Sequence, residues 1–344
     1  MEELFSYRNG NYTVKMYSNG TKIRILDDGE TAFNADFPEN IDVKISNHCS
    51  IGCEFCHEGC TKGGSFIFVD YLTTSFLNSL NPGTELAVGG GALSEMGNTL
   101  WLFLRKAKES MVFANITINA LELLNTEFFL KLFLHIRTSY GVNNTNEIKF
   151  QRFLQLHPEI FNRLEGEIAE GLINGIGISY NSNETARKRM LLLKQAFHEN
   201  VVIHTIYGIT KKEDYDWLVE NGFKILVLGY KNFGRGEEYF KNFNKTIESN
   251  MRDFDKNFSY YLKAAKYISF DCLATEQVKL KSKIPNDTWE ARYMGNDGNF
   301  TMYVDLVNHK FGTSSTTPNN EREYMALYKY DASLMFNAIK NKNI

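Results

Sequence analysis

From Ile41 onward the chain alternates short apolar runs of strand character with longer amphipathic ones, and this rhythm restricts the possible folds more than any other feature. "IDVKIS" (41–46), "ELAVGGG" (85–91), "ANITINA" (114–120), "GIGISYN" (175–181), "VVIHTIYG" (201–208) and "FKILVLGY" (223–230) read as buried strands. Between them, Leu72, Phe76 and Leu80 keep helical spacing until Pro82-Gly83 stops it, and "TLWLFLRKAKE", "TEFFLKLFLHIRTSYG", "ETARKRMLLLKQAFHEN" and "KEDYDWLVEN" read as helices. A strand followed by a helix and another strand crosses over right-handedly, so about six such units predict an α/β protein with a partial (β/α)6 TIM-like parallel barrel. Residues 141–170 break the rhythm and read as an insertion. An N-terminal β-hairpin segment (1–40) is expected from "YTVKMYSNGTKIRIL", where Asn19-Gly20 tolerates the positive φ of a two-residue turn. Residues 41–236 form the expected core. A C-terminal α+β extension (237–344) follows, with a charged helix to about Lys266, a strand "ISFDCLA", a Gly-rich hairpin "GNDGNFTMYVDL" and a terminal helix "NEREYMALYKYDASLMFNAI", packed on the core.

The first strand runs into "SNHCSIGCEFCHEGC", which holds four of the chain's five cysteines within twelve residues. An odd, clustered set makes a poor disulfide framework and suits free thiols in a reducing compartment. No secretory pattern opens the sequence and no apolar run nears the roughly twenty residues of a membrane span, so a cytoplasmic protein is expected. Apolar residues make up 43% and charged ones 23%, enough for a packed core, and a net charge of −3 offers no broad attraction to nucleic acid or an anionic membrane. Cys49, Cys53 and Cys56 are spaced C-x3-C-x2-C, with Cys60 three residues further on. Three thiolates on a [4Fe-4S] cube leave one iron open. The competing readings are a structural zinc site on Cys49, Cys53, Cys56 and Cys60, or with His57 in place of one of them, and an electron-transfer cluster on all four clustered cysteines.

The C-x3-C-x2-C spacing after the first strand of a βα series resembles the radical S-adenosylmethionine (SAM) superfamily, as does an aromatic residue before the third cysteine, here Phe55 in "CEFC". The resemblance implies that Cys49, Cys53 and Cys56 hold a [4Fe-4S] cluster and that its open iron takes the amino and carboxylate groups of SAM. It implies further that an electron from reduced flavodoxin or ferredoxin splits the sulfonium to a 5′-deoxyadenosyl radical. SAM contacts are then expected at strand ends. Gly89, Gly90 and Gly91 in "VGGGAL" are similar to the family's Gly-Gly-Glu-Pro element, but Gly91 and Ala92 stand where the acid and proline would be, so an acid's role passes to Glu95 or is lost. The same resemblance implies a place near the adenosine for Asn119 in "TINA", and contacts to the ribose or carboxylate for Ser179 and Asn181 in "GISYNS". Lys231 and Arg235 in "LGYKNFGRG" are a cationic pair for a carboxylate or phosphate.

Beyond the loop only Cys272 remains, and one thiol cannot hold a second cluster. The C-terminal hairpin is expected to wall the barrel mouth, with Tyr293, Asp297 and Asp305 as candidates to line it. Cys272, on the strand "ISFDCLA", is a candidate hydrogen-atom donor if strand alternation turns it to the mouth. The substrate expected first is a peptide or protein, then a nucleoside or another small metabolite.

Overall fold

The computed structural model describes residues 3–17, 21–136, 170–197, 200–293 and 295–342. The Asn19-Gly20 turn and, but for Glu170, the expected insertion at 141–170 lie outside them.

Three antiparallel strands open the chain, β1 (Glu3–Asn9), β2 (Tyr12–Tyr17) and β3 (Lys22–Leu26), so the expected strand pair carries a third strand. Alternation along β2 buries Tyr12, Val14 and Met16 against the core. Buried Glu39, just before the barrel's first strand, fastens this small sheet by accepting from Tyr12 Oη (2.5 Å) and Arg24 Nε (2.8 Å).

A ten-stranded sheet forms the body. β4 (Asn40–Ser46), β5 (Glu85–Gly90), β6 (Phe113–Asn119), β7 (Gly175–Ser179), β8 (Val201–Ile206) and β9 (Lys224–Leu228) lie side by side, parallel and in chain order. β10 (Tyr267–Phe270) adds parallel to β9, while β11 (Thr301–Asp305) adds parallel to β4, followed by antiparallel β12 (Lys310–Gly312) and β13 (Glu323–Tyr324). The row from β10 to β13 is open, which makes the body a partial TIM-like barrel. Strands from beyond residue 236 thus extend both sides of the core's sheet.

Among the described residues the helices in chain order are α1 (Tyr71–Asn78), α2 (Asn98–Glu109), α3 (Thr126–His135), α4 (Glu184–Phe197), α5 (Lys212–Glu220), α6 (Arg235–Ala264), α7 (Cys272–Gln277), α8 (Asn286–Arg292) and α9 (Ala332–Lys342). Their apolar stripes cover the sheet, as Leu100, Phe103, Leu104 and Ala107 do on α2. None of the described helices is long and apolar enough to cross a membrane.

Three C-terminal expectations are corrected. The strand in "ISFDCLA" ends at Phe270, because the Asp271 carboxylate accepts from the Ala274 amide (2.6 Å) and starts α7, which puts Cys272 on a helix. The hairpin turn is not at the glycines; it lies between β11 and β12, where Asp305 accepts from the Asn308 amide (2.9 Å) and His309 takes a φ of 53°. The long terminal helix is broken by Lys329 and Tyr330, both at positive φ, so only α9 remains regular.

Candidate functional site

The cysteine loop is a closed excursion from the end of β4. The amides of Asn47 and Ile67 donate to Ser65 (2.7 Å) and Ile45 (3.0 Å), and that of Cys49 to Thr61 (2.9 Å), so the chain leaves and returns at one point. The glycines ending β5 press against this point. Gly91 N–H donates to the Ser46 carbonyl (2.7 Å) and Ala92 N–H to that of His48 (2.9 Å). A Cβ on Gly90 would overlap the Ser46 carbonyl, and one on Gly91 that of His48, whereas at Gly89 it would make ordinary contact with Thr117 at 3.5 Å. Glu95 holds the loop as well, accepting from the Ser50 amide (3.1 Å) with His48 Nε2 at the same distance, so its carboxylate grips protein.

Arg235, the first residue of α6, donates to the carbonyls of Cys53 (3.2 Å) and Cys60 (3.0 Å). It braces the loop and does not reach the wall of the cavity beneath. Lys231 does reach that wall, with Nζ 2.7 Å from Ser315 Oγ and 3.2 Å from His57 Nε2. The expected cationic pair is therefore divided between two tasks.

The cavity measures about 960 Å³ and occupies the inside of the partial barrel. Cys49, Cys53, Cys56 and Phe55 line it at the loop, and Gly89, Gly90, Gly91, Asn119 and Ser179 at the strand ends. Asn181 does not; its side chain accepts from the Asn183 amide (2.9 Å) ahead of α4. Asn119 heads a short helical turn in a capping box with Glu122, and its Nδ2 points at Cys53 Sγ, 3.7 Å away.

All five cysteines are free thiols. Burial raises Cys53. Cys60 is buried, 4.0 Å from the Ser46 carbonyl, and a hydrogen bond between it and Cys56 pulls Cys56 down to about 5 while pushing Cys60 up. Three thiols on one wall, with Asn119 as a donor to sulfur and the loop backbone braced by Arg235, are by chemical type a soft donor set of the kind an iron–sulfur cluster takes, although among the described residues no three such side chains are drawn together as a formed metal site. Cys272 lines the cavity from the first turn of α7; its Sγ is 3.8 Å from the Gly295 carbonyl, and burial together with a hydrogen bond to Asp297 raises it to about 12. Asp297 is also at the wall. Tyr293 instead stacks on Trp289 at 4.3 Å, and Asp305 is buried beside Lys44.

Sequence reasoning passed over several inward-facing groups. Asp42 and Lys44 alternate with Ile41, Val43 and Ile45 on β4, a pattern that already turns polar side chains to the barrel interior. Asp42 keeps its side chain open to the cavity; the surrounding protein pushes its carboxyl upward, with Lys231 opposing the shift and Asp297, Asp271 and Glu58 adding to it. Glu122 is raised to about 7 by burial although it accepts from the amides of Ser94 (2.7 Å) and Asn119 (2.8 Å). His204 on β8 is lowered to about 4 by burial, so its imidazole is neutral.

No family model matches the chain, and no curated protein matches it in sequence. Among solved structures it is similar to SuiB of Streptococcus suis, with a TM-score of 0.52 and 12% identity over 99% of this chain and 90% of that one. SuiB bound to precursor peptide SuiA aligns at a TM-score of 0.46 and 14% identity over 88% of this chain, which spans 66% of that chain. Native anSMEcpe with bound AdoMet and the Cp18Cys peptide aligns at 0.48 and 11%, covering 88% of this chain and 82% of that one. The likeness to SuiB is one of fold.

Proposed function

We propose that this chain is a radical SAM enzyme, with Cys49, Cys53 and Cys56 as ligands of a [4Fe-4S] cluster and the barrel cavity as the place for SAM and substrate. The observation that carries the reading is the cysteine loop itself: C-x3-C-x2-C at the end of the first parallel strand, its thiols on the wall of a cavity at the C-terminal strand ends, where α/β barrels place their ligands. When bound, the cluster and SAM supply a 5′-deoxyadenosyl radical on reduction by flavodoxin or ferredoxin. The chain's own residues do the rest. Glu95, Arg235 and the Gly90-Gly91 backbone fix the loop, Asn119 donates toward Cys53 sulfur, and Gly89 and Ser179 leave open wall for SAM. Cys272 is assigned as a hydrogen-atom donor from the C-terminal side of the same cavity. We assign the protein to the cytoplasm and a peptide or protein as its substrate.

The test is anaerobic purification followed by iron and acid-labile sulfide analysis, then dithionite with SAM. About four irons per chain and slow release of 5′-deoxyadenosine are expected, both lost in Cys49→Ala, Cys53→Ala or Cys56→Ala and both kept in Cys60→Ala. Stoichiometric zinc without sulfide would establish the metal-stabilised module instead. Loss of iron in Cys60→Ala as complete as in the other three would establish a four-thiolate cluster.

A further inference from the structure

One contact at the cavity wall joins strands that the sheet keeps far apart. Lys231 follows β9 and Ser315 follows β12, with six other strands between those two in the row. Lys231 Nζ nevertheless lies 2.7 Å from Ser315 Oγ and 3.2 Å from Nε2 of His57 in the cysteine loop, so three separate segments meet at one point of the wall. Both sides of the contact are fixed from behind. The Tyr230 amide donates to Gln277 Oε1 (2.8 Å) and Tyr230 Oη to the Gly236 carbonyl (2.6 Å), which pins the turn that carries Lys231. Arg322 donates to the carbonyls of Ser315 (3.0 Å) and Thr317 (2.9 Å) and holds the loop of Ser314, Ser315 and Thr316 at the cavity.

Hydrogen-bond donors are left over at this point. An ammonium carries three N–H bonds and accepts none. Lys231 places one on Ser315 Oγ and one on His57 Nε2, and the third has no acceptor among the described residues. Because Ser315 Oγ accepts from Lys231, its own proton is turned elsewhere, and it meets no acceptor there either. Positive charge is left over as well. Lys44 stands 2.6 Å from Glu58 and Arg322 3.8 Å from Asp305, whereas no carboxylate among the described residues is within ion-pair distance of Lys231. Asp42 and Asp271 act on it at longer range. An ammonium and a hydroxyl with unused donors call for an acceptor, and a charged acceptor makes the stronger bonds. One surplus charge suits a monoanion; the same two acids would repel the second charge of a phosphate. The turn after β9 and the loop after β12 build this point, not the ends of β5 and β7 that Gly89 and Ser179 leave open for SAM.

We infer that Lys231 and Ser315 form a subsite for a carboxylate of the substrate, on an acidic side chain or at a free chain terminus. Lys231 supplies the charge and one hydrogen bond, the Ser315 hydroxyl supplies a second, and Arg322 is a positioning residue that holds Ser315. This assignment rests on the proposed function for the cavity's role as a substrate site, and it adds the class of substrate group.

The test is binding followed by ligand-observed NMR on the anaerobic holoprotein, with and without SAM and without reductant. Two pairs of compounds differ only in a carboxylate against a carboxamide: N-acetyl-glutamate amide against N-acetyl-glutamine amide for a side chain, and N-acetyl-glycine against N-acetyl-glycinamide for a terminus. In at least one pair the carboxylate should bind roughly tenfold or more tighter, the discrimination expected of a charge-assisted hydrogen bond, and the pair that shows it tells the two sources apart. Lys231→Met should erase the preference and leave carboxamide binding unchanged, and Ser315→Ala should weaken the preference by roughly threefold. A lysine that only clasps the two sides of the barrel would instead weaken both members of a pair alike. That outcome, equal binding within both pairs, no binding of any compound, inorganic phosphate binding more tightly than either carboxylate, or a preference surviving Lys231→Met would overturn the assignment. A preference that SAM abolishes would do so too, giving Lys231 to the carboxylate of SAM. Should Lys231→Met not fold, an unchanged preference in Ser315→Ala overturns it. Because no SAM cleavage is read, a carboxylate preference in a protein that makes no deoxyadenosine would remove the radical reading and leave the subsite.

Discussion

At the scale of single residues, the three glycines after β5 look alike in sequence and differ in the structure. Gly91 sits against the His48 carbonyl and Gly90 against that of Ser46, so side chains there disturb the cysteine loop directly. Gly91→Ala should lower stability by roughly 1–3 kcal/mol, as overpacking does, whereas Gly89→Ala should stay within about 0.5 kcal/mol, read by urea unfolding of both variants. Gly89 is then the position at which SAM affinity can be probed without disturbing the loop: a weakened SAM Kd in Gly89→Ala at unchanged stability would mark the cavity wall as a ligand contact. Glu122 gives a pH prediction. Its folded-state value of about 7 lies above the 4.5 of an unperturbed Glu, so the folded state holds the proton more tightly, and stability falls as pH rises from about 4.5 through 7. The loss is on the order of 3 kcal/mol for this 4% exposed side chain. Glu122→Gln should flatten that part of the stability–pH curve, and a curve unchanged in shape would show that the carboxylate is ionised throughout.

Among the elements, α6 is the one that ties the far side of the barrel to the cysteine loop. Its first residue, Arg235, reaches two loop carbonyls, and the planar guanidinium can serve both at once where an ammonium cannot. Arg235→Ala and Arg235→Lys should both speed hydrogen exchange of the amides between Cys49 and Cys60, with alanine the larger effect, and Arg235→Ala should cost roughly 1.5–3 kcal/mol. Unaltered exchange across the loop in both variants would show that the loop is ordered without the helix. The C-terminal elements were the least legible in sequence. "ISFDCLA" has the composition of a strand throughout, but the Asp271 carboxylate captures the Ala274 and Gly229 amides and turns the chain into a helix, a choice made partly by a partner 42 residues away. In "NEREYMALYKYDASLMF", apolar spacing suggests one helix, and positive φ at Lys329 and Tyr330 divides it.

For the molecule as a whole, a buried charge network joins the cysteine loop to the last strands of the sheet. Lys44 Nζ lies 2.6 Å from Glu58 and 3.6 Å from Asp305, Tyr303 donates to Glu58 at 3.0 Å, and Arg322 lies 3.8 Å from Asp305. Lys44→Met would remove the ammonium shared by buried Asp305 and half-buried Glu58, leaving Arg322 and Tyr303 as their partners, and should cost about 3 kcal/mol, with Lys44→Met/Glu58→Gln recovering part of the loss. Urea unfolding of the single and double variants checks this; equal midpoints for Lys44→Met and the wild type would show that the network contributes nothing. Since the network spans the boundary near residue 236, the core and the extension should unfold together in a single transition.

The sequence by itself determined the parallel βα order, the position of the cysteine loop at the end of the first strand, and the polar strand ends around it. These are set by periodicity and by residues close together in the chain. Only the tertiary structure decided what those residues meet. It gave Arg235 and Glu95 to the loop backbone, moved Cys272 onto a helix, left Asn181 outside the cavity, and brought Asp42, Asp271 and Asp297 to the wall of that cavity. Strand register and sheet order fix such meetings, and segments more than two hundred residues apart leave no local trace of them in the sequence.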